Sequence, residues 1–431
     1  MRTLSAFAQD AWTSANPAQG PNCAAERPSM TKGSEARPLR VAFVTPAWPG
    51  VLTPNGIATA VSHLAAGLQK AGHEVTIIAH WLDAPHDHPR VIAMPDARLR
   101  LVDRLRQKLD PEGAQVRSMV DQHVEAIRRA VALYGVEVVV MEETQGWVGQ
   151  IRGKVSVPIV ATLHGPWWLH RMAGSAPDDA ASARREAREA KGLQRVDGIT
   201  SPSAVVLRQT EALWGLPNVP KAVIPNPFPV PAQGIDLKEE LLNHVLFVGR
   251  YDHIKGGDLV VDAFALIAAA HPTAQFTFVG PDDGVPRDGG GMEMLSDRLA
   301  RLPEPVRSRI KAVGKQSREE VAALRARHGV TLVASRYENF GGTLIEAMAA
   351  GSAVVSTSVG GQLEIATHEE TALMVPPEDT EAMANACLRL MRDPSLACRL
   401  GTAARSHVAA SYAPDVIARR MADFLSSVLR R

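Results

Sequence analysis

The chain predicts an α/β protein built from two doubly wound halves, each a parallel sheet wrapped by helices. Three observations carry this. Short apolar, β-branched runs alternate with segments of helical period from Val41 onwards. The alternation restarts at His244 after a proline-rich stretch, 225 to 231, so one sheet ends there and another begins. A chain of 431 residues also exceeds what one ordinary core encloses.

In the first half, Val41 to Val44 is a short buried strand, followed by a loop rich in Pro and Gly from Pro46 to Gly56. Ile57, Val61, Leu64 and Leu68 then recur at helical spacing, Gly72 stops the helix, and Val75 to Ala79 is the second strand. Pro54-Asn55-Gly56 opens that helix. A glycine there lets the main chain approach a phosphate at the helix start, and an ordinary Asn-Gly turn is the simpler alternative. Glu137 to Met141 and Val157 to Leu163 are further strands, and Arg171 to Arg195 is a charged, Ala-rich helix.

In the second half, His244 to Val248 and Phe276 to Gly280 are strands around a helix at 258 to 270, and the glycine-rich loop 284 to 291 is expected to be mobile. A helix at 317 to 327, strands at Val330 to Ala334 and Ala353 to Thr357, and helices at 379 to 393, 396 to 410 and 413 to 430 complete the chain. The expected division is a tail at 1 to 38 without periodicity, one Rossmann-like domain at 39 to 231, a second at 232 to 411, and a terminal helix at 412 to 431. Met30 stands close to the first strand and is a candidate second start.

Composition excludes several classes. Apolar residues at 45% and charged residues at 22% describe a globular chain. A net charge of +1 gives no support to nucleic-acid binding. No apolar run reaches the roughly 18 residues a bilayer span requires. Cys23, Cys387 and Cys398 have no metal-binding spacing, which favours a reducing, cytoplasmic setting. Residues 98 to 109 alternate Arg98, Arg100, Arg104, Arg106 and Lys108 with leucines and a valine. Such a helix suits either a solvated face or a peripheral contact with an anionic membrane surface.

The most informative stretch runs from Val333 to Gly351 as strand, polar loop and helix. In an open parallel sheet such a loop lies at the carboxyl edge where ligands bind. The helix start after Gly341-Gly342 offers unpaired N–H groups to an anion. Glu346 lies three and four residues after Thr343 and Gly342, so it shares their face and leans back towards the loop that holds Glu338.

Glu338 to Glu346, within Glu-x-Phe-Gly-Gly-x-x-x-Glu-Ala-Met-Ala-x-Gly, resembles the Glu-x7-Glu signature of retaining nucleotide-sugar glycosyltransferases of family 4, which have the GT-B fold. Gly249-Arg250, with Lys255-Gly256 following, is similar to the family's Gly-Arg-x4-Lys-Gly element, and two cations ahead of a helix suit a diphosphate. His164 at a strand end, Ser201-Pro202-Ser203 and Val223-Ile224-Pro225-Asn226-Pro227 are further points of likeness, which extends from Leu39 to Arg431. Asn55 departs from the family's usual pair of glycines, leaving the main-chain role of Gly56 in place and its own role open.

The resemblance implies two Rossmann-like domains facing each other across a cleft, with the last helix crossing back to the first. It implies that His164, Arg250, Lys255 and Glu338 act at the reaction centre. Gly56, Asn339, Phe340, Gly341, Gly342, Thr343 and Glu346, with Gly314 and Lys315 near the base, would bind the donor. Glu346 would take the ribose hydroxyls, and Glu338 would hold the donor sugar and meet transition-state charge.

Trp167 and Trp168 are acceptor-side candidates, suited to stacking on a sugar or to packing under a loop. No Asp-x-Asp motif occurs, in keeping with transfer without a metal, and no cofactor is implied. The donor would be a UDP- or GDP-hexose and the acceptor a glycan, a lipid-linked glycan or a small molecule, with surface polysaccharide or glycoconjugate synthesis as the setting. A sugar-nucleotide epimerase, and a non-catalytic sugar-nucleotide binder or scaffold in a polysaccharide assembly, are the alternatives. A phosphorylase would require a cofactor lysine, for which the sequence makes no case.

Overall fold

The computed structural model describes residues 37–49, 55–96, 111–174, 176–287 and 289–431. The expectations for the N-terminal tail up to residue 36, for Pro54, and for the basic segment 98 to 109 lie outside the described residues. From Leu39 to Arg431 the chain forms one compact unit.

The strands are β1 Arg40–Trp48, β2 Glu74–Leu82, β3 Val91–Ala93, β4 Val138–Glu142, β5 Ile159–Thr162, β6 Gly198–Ser201, β7 Lys221–Val223, β8 His244–Val248, β9 Tyr251–Asp252, β10 Gln275–Val279, β11 Asp282–Pro286, β12 Met292–Glu293, β13 Ile310–Ala312, β14 Val330–Val333, β15 Ala353–Thr357 and β16 Leu373–Val375. The principal helices are α1 Gly56–Lys70, α2 Pro111–Tyr134, α3 Trp147–Arg152, α4 Trp167–Met172, α5 Ala180–Leu193, α6 Ala204–Trp214, α7 Gly257–Ala270, α8 Arg318–Arg325, α9 Gly342–Ala350, α10 Thr380–Arg392, α11 Pro394–Ser411 and α12 Pro414–Leu429.

Two parallel sheets organise the unit. The first runs β3-β2-β1-β4-β5-β6-β7 and the second β13-β10-β8-β14-β15-β16. Both follow the doubly wound order in which the chain winds outwards from one strand and then reverses. Each sheet therefore has a crevice beside its central strand, between β1 and β4 in the first half and between β8 and β14 in the second. The loops leaving those four strands carry most of the site.

Burial explains why the strands hold. Val330–Val333 and Ala353–Thr357 are buried throughout, as strands covered on both faces must be. The terminal helix α12 joins the first half: Ile417, Met421 and Leu425 pack with Phe43, Val61, Leu64 and Leu68 in a single core cluster.

Three local expectations change. Arg171 to Arg195 is not one helix, because α4 ends at Met172 and α5 begins at Ala180, capped by the Asp179 carboxylate on the Ser182 N–H at 2.8 Å. The Gly-rich stretch 284 to 291 is not simply a loop. β11 and β12 pair antiparallel and β11 also pairs with β9, which makes a three-stranded sheet beside the Arg250 loop. Asn55, whose role was open, caps α1 by accepting from Ile57 N at 2.8 Å and Ala58 N at 3.2 Å.

Candidate active site

Two loops of the second half meet at one ion pair. Lys255, just before α7, places Nζ 2.5 Å from Glu338 Oε1, and Ser335 Oγ donates to the same oxygen at 2.8 Å. Lys255 can aim this way because Gly256 turns the chain with φ +66, and a Cβ there would stand 2.1 Å from the Ala334 carbonyl oxygen. Asp252 ties the rest of the loop together. Its carboxylate accepts from Lys255 N at 2.7 Å and pairs with Arg250 Nη2 at 2.7 Å. Arg250 is half exposed, with Asp283 at 3.8 Å on its other side.

The helix α9 starts beside this pair. Gly341 holds φ +99 immediately before it, and around Gly342 nothing stands within 4 Å of a would-be Cβ, so its first turn faces open space. Thr343 is half-buried on that turn. Glu346, one turn on, binds Arg325 Nη2 at 3.2 Å. Arg325 is buried, desolvation lowers its pKa, and Glu346 is the group that opposes the shift. Sequence reasoning missed Arg325, since α8 has the charge pattern of a solvated helix.

The Glu338 loop is held from behind. Gly361 N donates to the Glu338 carbonyl at 3.0 Å, and a Cβ on Gly360, at φ +46, would stand 2.0 Å from that oxygen. Gly360→Ala is therefore expected to displace Glu338, lower the melting temperature and remove activity. Unchanged turnover in the folded variant would contradict this.

On the first half, His164 follows β5. The residue is half-buried and desolvation pushes the pKa of its ring down to about 4, so it is neutral near pH 7. The main chain here is gripped by buried acids. Glu143 accepts from His164 N at 3.0 Å and Gly165 N at 2.8 Å; Glu189 accepts from Trp167 N at 2.7 Å and Gln145 N at 3.0 Å. Burial, then the neighbouring Glu189 and Glu142, push Glu143 up to about 8. Arg185 compensates Glu189 at 2.9 Å and lies 3.7 Å above the Trp167 ring.

The remaining expectations divide. The Asn339 side chain donates to the carbonyl oxygens of His164 and of Leu163, the latter at 3.2 Å, and accepts from Ser203 Oγ at 3.2 Å. It ties the two halves together, and its amide is not left for a donor. Phe340 is a core side chain of the second half. Trp168 is buried with its indole N–H on Thr210 Oγ1 at 3.2 Å, so it packs under the loop. Trp167 instead lines a cavity of about 340 Å³ with Trp147, Gln145, Ser182, Arg185 and Arg188. Gly56 opens α1 with free space around it, while Gly314 and Lys315 are exposed after β13.

A further tie joins the halves: the Glu364 carboxylate accepts from Ala204 N and Val205 N, each at 2.8 Å, at the start of α6.

A fold of two doubly wound halves with this site between them defines the GT-B class. The family described as "Glycosyl transferases group 1" matches residues 234–407, and "Glycosyltransferase Family 4" matches residues 54–230. The chain belongs to the group 1 glycosyltransferases of GT-B fold.

It is 30% identical over 183 residues to a 2-deoxystreptamine N-acetyl-D-glucosaminyltransferase of Niallia circulans, covering 42% of this chain and 45% of that one. It is 31% identical over 190 residues to a D-inositol 3-phosphate glycosyltransferase of Streptomyces avermitilis, covering 43% and 40%. These matches span less than half of either relative. A solved sucrose-phosphate synthase of Thermosynechococcus elongatus is 25% identical with a TM-score of 0.67, covering 91% of this chain and 99% of that one.

Proposed function

We propose that the protein moves a hexose, with retention of anomeric configuration, from a UDP- or GDP-hexose to an acceptor bound against the first half. The Lys255–Glu338 pair beside the open start of α9 is the observation that carries this. The departing diphosphate gains negative charge as the sugar bond breaks. Preorganised donors at that point stabilise the transition state more than the ground state. Lys255, Arg250 and the first turn of α9 supply them, with Gly56 approaching from the first half. Glu346 takes the ribose hydroxyls, and Glu338 orients the sugar and meets the positive charge at its anomeric carbon. The leaving phosphate removes the acceptor proton on the face it vacates.

The Trp167 cavity suits the acceptor. Arg185 and Arg188 line it, and the indole N–H groups of Trp147 and Trp167 are buried with no partner among the described residues. Two guanidinium groups on a wall that also holds Asp179 fit a small, hydroxylated acceptor that carries a phosphate or carboxylate, in line with the inositol 3-phosphate in one relative's name.

Thermal shift with nucleoside diphosphates and their sugars is expected to raise the melting point for one base. Incubation of that donor with phosphorylated and carboxylated polyols should then release nucleoside diphosphate and give an α-linked product from an α-linked donor. Inversion would overturn the mechanism. Tight binding without turnover on any acceptor would favour the non-catalytic binder, and a changed sugar without acceptor the epimerase.

A further inference from the structure

We propose that Glu143 and Glu189 are positioning residues for transfer, two buried carboxyl groups that set the His164–Trp167 segment by accepting its main-chain N–H groups. The inference rests on the transfer reading above, but its geometry does not depend on any ligand.

Both side chains are fully buried. Glu143 comes from the end of β4, beside the crevice of the first sheet, and spans to the loop after β5. Each of its oxygens takes one amide, from His164 and from Gly165. Glu189 reaches the same segment from α5, taking Trp167 N on one oxygen and Gln145 N on the other. Three of the four consecutive residues His164, Gly165, Pro166 and Trp167 thus donate to these acids, the His164 N–H being shared with the Thr162 carbonyl at 3.0 Å. The fourth is proline, which has none.

The arrangement reaches the loop from both sides. Gln145 adopts φ +59, and Gly146 packs so tightly on α5 that a Cβ would lie 2.1 Å from the Arg188 carbonyl oxygen. Glu189 therefore cannot shift without moving both the Gln145 turn and Trp167. On the far side, the carbonyl of His164 meets Asn339, the residue after Glu338. The placement of the acids is consequently transmitted to the spacing between His164 and Glu338.

Burying carboxyl groups is unfavourable, and Arg185 offsets part of this cost for Glu189 at 2.9 Å. A protein that needed this loop merely covered could cover it with apolar side chains. Two buried carboxyl groups whose oxygens each accept a main-chain N–H fix the direction of those N–H groups, and with it the direction in which His164 and Trp167 point.

Glu143→Gln keeps size but turns one acceptor into a donor facing an N–H. The expected result is a fall in kcat of about tenfold or more, the lower range for misplacing a catalytic group. The donor KM and nucleoside diphosphate affinity should stay within about twofold, because their grips lie on the other half. Glu143→Asp, which keeps the two accepting oxygens, should recover part of the rate. A lower melting point with unchanged kcat per folded molecule would overturn the proposal.

Hydrogen exchange on the wild-type chain covers the case in which the variants do not fold. The amides of His164, Gly165 and Trp167 should exchange as slowly as the β5 amides, and rapid exchange would overturn the clamp. A wild type that transfers nothing would sink the functional reading while leaving this exchange result readable.

Discussion

Lys255→Ala is expected to lower kcat by about 10²–10³-fold, the range for removing one preorganised donor from a developing anion. The geometry explains why the effect should be large. An ammonium has three donors, and Glu338 engages one at 2.5 Å, so two remain for phosphate oxygens. In the proposed transfer, Lys255 would thus join the group that holds the sugar to the group that leaves. Its loss also deprives Glu338, whose side chain is only 11% exposed, of its cation, leaving the Ser335 hydroxyl, which donates to it at 2.8 Å. Glu338→Ala should abolish transfer while nucleoside diphosphate binding changes within a few-fold. Because the two side chains touch, the double variant should be little worse than the weaker single one. Initial rates of diphosphate release at saturating acceptor measure all three, and unchanged turnover in Lys255→Ala would remove it from the mechanism.

The parts of this site that could be read from the chain are those where residue type and spacing coincide. Glu338 and Glu346 sit in a run whose strand, glycine pair and helix each have a sequence mark, and both halves follow from alternating apolar runs. The supporting acids were hidden for a physical reason. Glu189 lies in a helix whose charges have the pattern of a solvated face, and only the crossing of α3 and α5 turns it inwards, where Gly149 and Gly192 let the backbones touch. Glu143 had a signal, a carboxylate at a strand end beside the chain reversal of the sheet. Asn339 looked like a donor ligand by position. Its amide is instead consumed by carbonyls from the other half, a contact 175 residues away in sequence that no local pattern encodes. Trp167 and Trp168 were indistinguishable as neighbours, and the turn of α4 sends one to the cavity and the other to the core.

Glu346→Ala is expected to act on affinity and stability together, through different partners. Losing a charged acceptor for ribose hydroxyls should cost about 1.5–3 kcal/mol of nucleoside diphosphate binding, or roughly 10- to 150-fold in Kd. It also strips Arg325 of its carboxylate. The Arg325 side chain is 5% exposed, its Nη1 has no partner among the described residues, and desolvation already lowers its pKa. A guanidinium left buried and uncompensated should lower the unfolding free energy by about 3 kcal/mol. Glu346 itself is 38% exposed, so the penalty lies on the arginine and not on the pair.

Arg325→Met separates the two effects, since an apolar side chain of similar length removes the orphaned charge. The Arg325→Met/Glu346→Ala variant should regain most of the stability lost in Glu346→Ala, seen as a urea midpoint returning towards wild type, while binding stays weak. If the double variant is as unstable as Glu346→Ala, the buried charge is not what the carboxylate compensates. If it recovers affinity as well, Glu346 does not touch the nucleotide.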